Sequence, residues 1–186
     1  MRRRDFMMTG LAAFGLTAVQ ANAQAAAVPP PTLVQMRVPL PAGQVHVFPN
    51  HFKLFHTQAD GMAVRYPCRV GRDSLYEPGR FYIGAKKEWP SWRPTPGMIE
   101  REPELYEQYE EDGMPGGPGN PLGARALYLF QPGRGDTFLR IHGTHDSRSI
   151  GRAVSNGCAG LTNDHIKILY SQVPIDTTVV LYPKMG

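Results

Sequence analysis

The chain has two cysteines in 186 residues, Cys68 and Cys158. That is too few for a disulfide framework; one bridge is the most it can form. Beyond Arg2-Arg3-Arg4 there is no run of basic residues, and basic and aromatic side chains do not interleave. Nucleic acid is therefore a poor partner. No internal repeat is visible. After the opening residues no apolar stretch approaches the roughly 20 that a membrane span needs.

What is present begins with an address. MRRRDFMMTG carries three arginines, followed by an apolar run from Met7 to Val19 that ends in Ala21-Asn22-Ala23. This is the order of a basic region, an apolar region and a small-x-small cleavage site. Arg3-Arg4 with Phe6 two residues on resembles the twin-arginine type, an ordinary secretory signal being the alternative. The expectation is export to the periplasm, with residues 1–23 removed and no transmembrane anchor left. The remaining 163 residues suit one domain. Losing Arg2, Arg3, Arg4 and Asp5 takes the formal charge from +4 to about +2. Export of an already folded chain from a reducing cytoplasm makes a disulfide less expected.

Residues 24–43 are rich in alanine and proline and read as a flexible linker; a single domain is expected over 44–186. Period-two alternation predicts strands near 45–48, 51–56, 62–71, 81–87, 126–130, 138–142 and 177–182. Pro49-Asn50 and Ala59-Asp60-Gly61 read as turns. Residues 88–120 have no period, many prolines and glycines, and an acidic tract from Glu100 to Asp112. They form a long insertion with a short helix near 104–111, either a functional lid or a solvated excursion. Thr162 is a candidate N-cap, with Ile166, Leu169 and Tyr170 at helical spacing. Many strands and no βαβ alternation predict a mostly-β domain.

The chemistry gathers around Ser155-Asn156-Gly157-Cys158-Ala159-Gly160-Leu161. A nucleophilic cysteine needs a base in reach, a lowered pKa and backbone donors for an oxyanion. His142, sixteen residues earlier at a strand end, is the candidate base. Small neighbours leave the main chain open, and a helix starting just after the cysteine would favour a thiolate. These residues alone also allow a buried inert cysteine or half of a disulfide.

The stretch from Ile141 to Tyr182 resembles the L,D-transpeptidase catalytic domain, the YkuD type, and its ErfK-like members. The shared features are His142-Gly143-Thr144, Ile150-Gly151, the cysteine turn, the Asp164-containing helix, and a Val-Pro turn before the last strand. Upstream, Arg69-Val70-Gly71-Arg72, Trp92-Arg93-Pro94-Thr95-Pro96, Gly119-Asn120-Pro121-Leu122-Gly123 and Ala126-Leu127-Tyr128-Leu129 follow in the family's order. The similarity covers roughly 44–183. It implies a β-sandwich or barrel of mixed strands with one or two short helices and a long insertion loop. It implies Cys158 as nucleophile, His142 as general base, and the Gly143 carbonyl orienting the imidazole. Backbone N–H groups of Gly157 and Cys158 would hold the oxyanion. Asn156, Ser155, Tyr128 and Trp92 are further site candidates. The substrate implied is a peptidoglycan stem peptide, cut before its terminal D-residue to give a thioester. Another stem peptide, a lipoprotein lysine or a free D-amino acid would accept the acyl group. Hydrolysis on the same scaffold, or an inactive wall-binding protein, are the competing outcomes. No cofactor or metal is implied.

Two positions depart from the family. Its turn histidine is Asn156, and its arginine two after the cysteine is Gly160. Arg148 and Arg152, nearest in sequence, are the candidate replacements for that arginine. His142 and His145, three apart, lack a third metal ligand. Cys68 shares a predicted strand face with Val64 and Tyr66 and is expected to be buried and inert.

Overall fold

A computed structural model describes residues 27–185. The expected signal, residues 1–23, lies outside them. Among the described residues no helix is long and apolar enough to cross a membrane.

The chain is mostly β, with a mixed sheet and short helices. Its strands are β1 (Thr32–Gln35), β2 (Val45–Phe48), β3 (Lys53–Thr57), β4 (Met62–Pro67), β5 (Val70–Gly71) and β6 (Gly79–Glu88). After the insertion come β7 (Arg125–Gln131), β8 (Gly135–Thr144), β9 (Ala153–Ser155), β10 (Ala159–Thr162) and β11 (Thr178–Leu181). Nine of them form one sheet in the order β1-β4-β3-β2-β11-β6-β7-β8-β10, and β5 pairs with β9 in a separate ribbon. The contacts β11–β2 and β10–β8 are parallel, and all other pairs in the large sheet are antiparallel.

The segment read as linker is not wholly one. Thr32–Gln35 pairs antiparallel with Met62–Arg65, because the half-apolar run Thr-Leu-Val-Gln finds a free sheet edge and satisfies its backbone there. The strand predicted over 62–71 is also broken. Pro67 cannot donate to a ladder. The chain leaves β4 there, Cys68 N donates to Phe52 O at 3.0 Å, and the next residues take new partners, Arg69 bridging Gly160 and Val70 pairing with β9. The insertion is more ordered than a loop. It holds α1 (Pro96–Arg101) and α2 (Pro103–Tyr106), and its neck is closed by reciprocal hydrogen bonds between Trp92 and Met114.

Helix α3 (Asn163–Gln172) begins where the pattern indicated, with Thr162 Oγ1 accepting from His165 N at 3.3 Å. Its buried residues His165, Ile166 and Leu169 lie one helical face apart from solvent and pack on β7 and β8. Lys86 Nζ donates to the Tyr170 and Val173 carbonyls, both at 2.6 Å, and so closes the C-terminal end. The core joins Val45, Val47, Leu54, Tyr66, Ile83, Leu127, Ile141, Leu161, Ile166 and Leu169 into one cluster.

Four histidines are buried: His46, His56, His142 and His165. Burial is the main cause holding each below the ordinary imidazole pKa. Above pH 6.5 they are neutral whether the chain is folded or not. Below it the unfolded chain takes up protons that the folded chain refuses. Stability is therefore full at neutral pH and falls as pH drops, by up to about 1.4 kcal/mol per pH unit for His142, with the other three adding in the same direction. The thermal midpoint should fall steadily from pH 7 to pH 4.5 in a calorimetric series; a flat or rising midpoint contradicts this.

Candidate active site

Strand β8 carries His142 two residues before its end, and the ring is 3 % exposed. Its Nδ1 donates to the Gly143 carbonyl at 2.7 Å. That bond assigns the proton to Nδ1 and leaves Nε2 as the acceptor. Burial, then the Arg69 guanidinium, push the His142 pKa down to about 3, against the Gly143 and Leu122 carbonyls, which favour the protonated ring. The imidazole is neutral at physiological pH.

The orienting carbonyl is itself fixed by close packing. Gly143 and Gly123 both face the Asn163 side-chain oxygen, so closely that a Cβ on either would overlap it. Asn163 Oδ1 also accepts from Ala124 N at 2.8 Å. Gly123 has φ +62°, and a Cβ there would sit 2.6 Å from the Gly143 carbonyl carbon. The turn that delivers Gly123 is held by buried Asn120, which accepts from Leu122 N and donates to the Met114 and Pro115 carbonyls.

Cys158 precedes β10, which runs parallel to β8 with Gly160 opposite His142. The cysteine is thus carried to the same end of the sheet as the histidine. Cys158 and His142 line one open cleft of about 960 Å³. Cys158 Sγ lies 4.0 Å from the Phe138 carbonyl. Phe138 takes φ 61°, unusual for a bulky residue. Asp136 supports it by accepting from Phe138 N at 2.9 Å. The turn is tied by Ser155 Oγ donating to the Cys158 carbonyl at 2.5 Å. Gly157 takes φ +120°, and a Cβ there would sit 2.9 Å from Leu75 O.

The expected helix effect on the thiol is absent. Strand β10 separates Cys158 from α3, a gap of about 13 Å at strand rise, beyond the last-turn reach of a helix dipole. Burial raises the Cys158 pKa above the ordinary thiol, opposed by hydrogen bonding to the Arg140 backbone and by the charges of Arg140 and Arg69. At neutral pH the cleft thus holds Cys158 as a thiol and His142 as a neutral imidazole. Both cysteines are free. Cys68 is fully buried and its pKa is pushed up to about 12 by burial.

Ser155, Asn156, Tyr128 and Trp92 line the cleft with Cys158 and His142. Tyr128 lies under the Arg140 guanidinium, 3.9 Å from the ring centroid, and Arg140 is gripped at both nitrogens by Asp136 (2.6 and 2.8 Å). Trp92 packs beside Tyr106 and Tyr109. Asn156 latches the insertion to the turn: its amide donates to Tyr106 OH at 3.1 Å and its oxygen accepts from Arg72 and Arg101 at 3.4 Å. Arg72 also pairs with Glu102 at 2.7 Å.

Arg148 and Arg152 are not in the cleft. Arg148 is exposed and pairs with Asp146 at 3.1 Å. Arg152 is exposed, and its carbonyl accepts from Val70 N. Both lie on the outer loop and short ribbon before the turn. The cationic groups that reach the cleft near Cys158 are Arg69 and Arg140. Sequence separation concealed Arg69, because its approach depends on the strand break at Pro67. Among the described residues no group of three metal-ligating side chains occurs.

Comparisons with known proteins agree on the family. The L,D-transpeptidase catalytic domain model, YkuD, matches residues 43–181. A Fuscovulum blasticum protein, named "Putative L,D-transpeptidase in ATP synthase subunits region ORF 5", is 35% identical over 204 residues, covering 96% of each chain. The probable L,D-transpeptidase ErfK/SrfK of Escherichia coli K12 is 35% identical over 130 residues, 68% of this chain and 40% of that protein. A crystal structure from Brucella melitensis, described as a probable carnitine operon oxidoreductase, is 41% identical with a TM-score of 0.56, covering 82% of this chain and 93% of that one.

Replacing Gly123 with alanine should cost about 2–4 kcal/mol, through the left-handed φ and the overlap with Gly143. The thermal midpoint should fall by roughly 5–15 °C. Gly117→Ala, where nothing lies within 4 Å of the added carbon, should leave it unchanged; equal midpoints for the two variants contradict the packing argument. The chain belongs to the L,D-transpeptidase catalytic domain family.

Proposed function

We propose that this is an exported cysteine L,D-transpeptidase that acts on peptidoglycan stem peptides in the periplasm. The observation that carries the reading is the His142 Nδ1–Gly143 O bond in the cleft that also holds Cys158. It leaves Nε2 free to accept the thiol proton.

The mechanism follows from the protonation states. With the Cys158 pKa raised and the His142 pKa lowered, the proton rests on sulfur until a carbonyl is in place. Proton transfer to Nε2 is then coupled to attack of sulfur on the stem carbonyl carbon. Backbone N–H groups of Gly157 and Cys158 stabilise the oxyanion. A carbon–sulfur bond forms as the carbon–nitrogen bond to the terminal D-residue breaks, and His142 passes the proton to the departing amine. An acceptor amine then attacks the thioester, and the thiol regains its proton. The acceptor is a second stem peptide, a lipoprotein lysine or a free D-amino acid; water as acceptor makes the protein a carboxypeptidase. Asn156, in holding Tyr106 and Arg101 over the turn, makes the insertion a cover for the cleft.

Alkylation of Cys158 by iodoacetamide should rise with pH by up to about tenfold per unit from 7 to 9, without a plateau below 8. A plateau near pH 6–7 would mean a resting thiolate–imidazolium pair and contradict the assignment. Tetrapeptide muropeptides should yield dimers or D-amino-acid exchange with wild-type protein. Cys158→Ala should abolish this, and His142→Gln should slow it by ~10²–10⁴-fold. Tripeptides alone would identify a hydrolase. A Cys158→Ala variant that keeps activity would sink the nucleophile.

A further inference from the structure

At Gly160 the structure shows what uses the space that a side chain would fill. Gly160 lies opposite Arg69 in an antiparallel bridge: Arg69 N donates to Gly160 O at 2.8 Å, and Gly160 N to Arg69 O at 3.0 Å. A Cβ at 160 would overlap Arg69 Nε and lie 2.8 Å from Cγ and 3.0 Å from Cδ. The Arg69 side chain therefore occupies the volume that a side chain at 160 would fill. From there it lines the cleft with Cys158 and His142.

Its guanidinium is under-partnered. Nη1 donates to Ser149 Oγ at 3.2 Å, and the buried Nε has no hydrogen-bond partner among the described residues. Burial lowers its pKa, opposed by the charge of an ionised Cys158 and then by Asp146, which is itself paired with Arg148. By contrast, Arg140 and Arg134 of the same cleft are matched by Asp136 and Glu77. A largely desolvated guanidinium with no carboxylate bonded to it is costly, and its planar donor fork suits a carboxylate.

We propose that Arg69 is a substrate-carboxylate clamp, brought beside Cys158 through the gap left by Gly160. The proposal rests on the stem-peptide reading above. Two carboxylates of a stem peptide have the right chemistry: that of the departing terminal residue, and a side-chain carboxylate on the acyl side.

Two measurements test it. The first compares Cys158 alkylation by anionic iodoacetate and neutral iodoacetamide. Arg69→Met should lower the iodoacetate-to-iodoacetamide rate ratio by about tenfold or more, as expected for loss of a nearby charge in a partly desolvated site. Arg69→Lys should retain much of the ratio. Gly160→Ala, which leaves Arg69 intact but crowds it out, should lower the ratio too. An unchanged ratio in folded Arg69→Met or Gly160→Ala protein overturns the clamp. The second compares tetrapeptides amidated at the terminal or at the side-chain carboxylate. Arg69→Met should raise KM about 10–100-fold for the acid it holds, with a smaller change in kcat, and have little effect once that carboxylate is amidated. An equal loss on acid and on both amides overturns the clamp. A lowered iodoacetate ratio in a protein that turns over no stem peptide supports the anion site and overturns the proposed function instead.

Discussion

The Gly143 carbonyl sits between two jobs. On one side it receives the Nδ1 proton of His142 at 2.7 Å. On the other it is pressed by the Gly123 turn and by Asn163 at the start of α3. Neither glycine can grow a side chain without moving that carbonyl. The tautomer of His142 therefore depends on three separate parts of the chain: the neck of the insertion, the end of β8 and the first residue of the helix. A solvated carbonyl would orient the ring loosely. A packed one fixes the ring through Nδ1 at the wall of the cleft, which is the kind of support that positioned acid–base groups need.

Parallel pairing does the rest of the assembly. Because β10 runs alongside β8 with Gly160 opposite His142, the turn before β10 brings Cys158 to the histidine's end of the sheet. The cost is a partly desolvated site. Burial of the two groups raises the Cys158 pKa and lowers that of His142. Arg69 and Arg140 moderate that cost for the thiol, and they oppose protonation of the imidazole.

Much of this was legible in the residues. Alternation located most strands, and Thr162 marked the helix start where its hydroxyl caps His165. Local reading left Cys158 open between three roles, and only the order of motifs over 44–183 narrowed it. What was hidden depends on long-range placement. β10 is four residues long, two of them Ala159 and Gly160, which carry no strand signal. A helix therefore seemed to follow the cysteine directly. The edge strand β1 lay inside an Ala/Pro-rich segment whose composition masked it. Arg69 is 89 residues from Cys158 in sequence, so the nearer Arg148 and Arg152 stood in for it until the bridge to Gly160 was visible.

The central claim is that Cys158 attacks while His142 takes its proton. Intact-mass and peptide-mapping mass spectrometry after brief exposure to a carbapenem tests it most directly, because acylation would mark the attacking residue by mass. The account predicts one adduct, on Cys158, formed much more slowly in His142→Gln protein and absent from Cys158→Ala. An adduct on any other residue, or equal acylation of wild-type and His142→Gln protein, would contradict it.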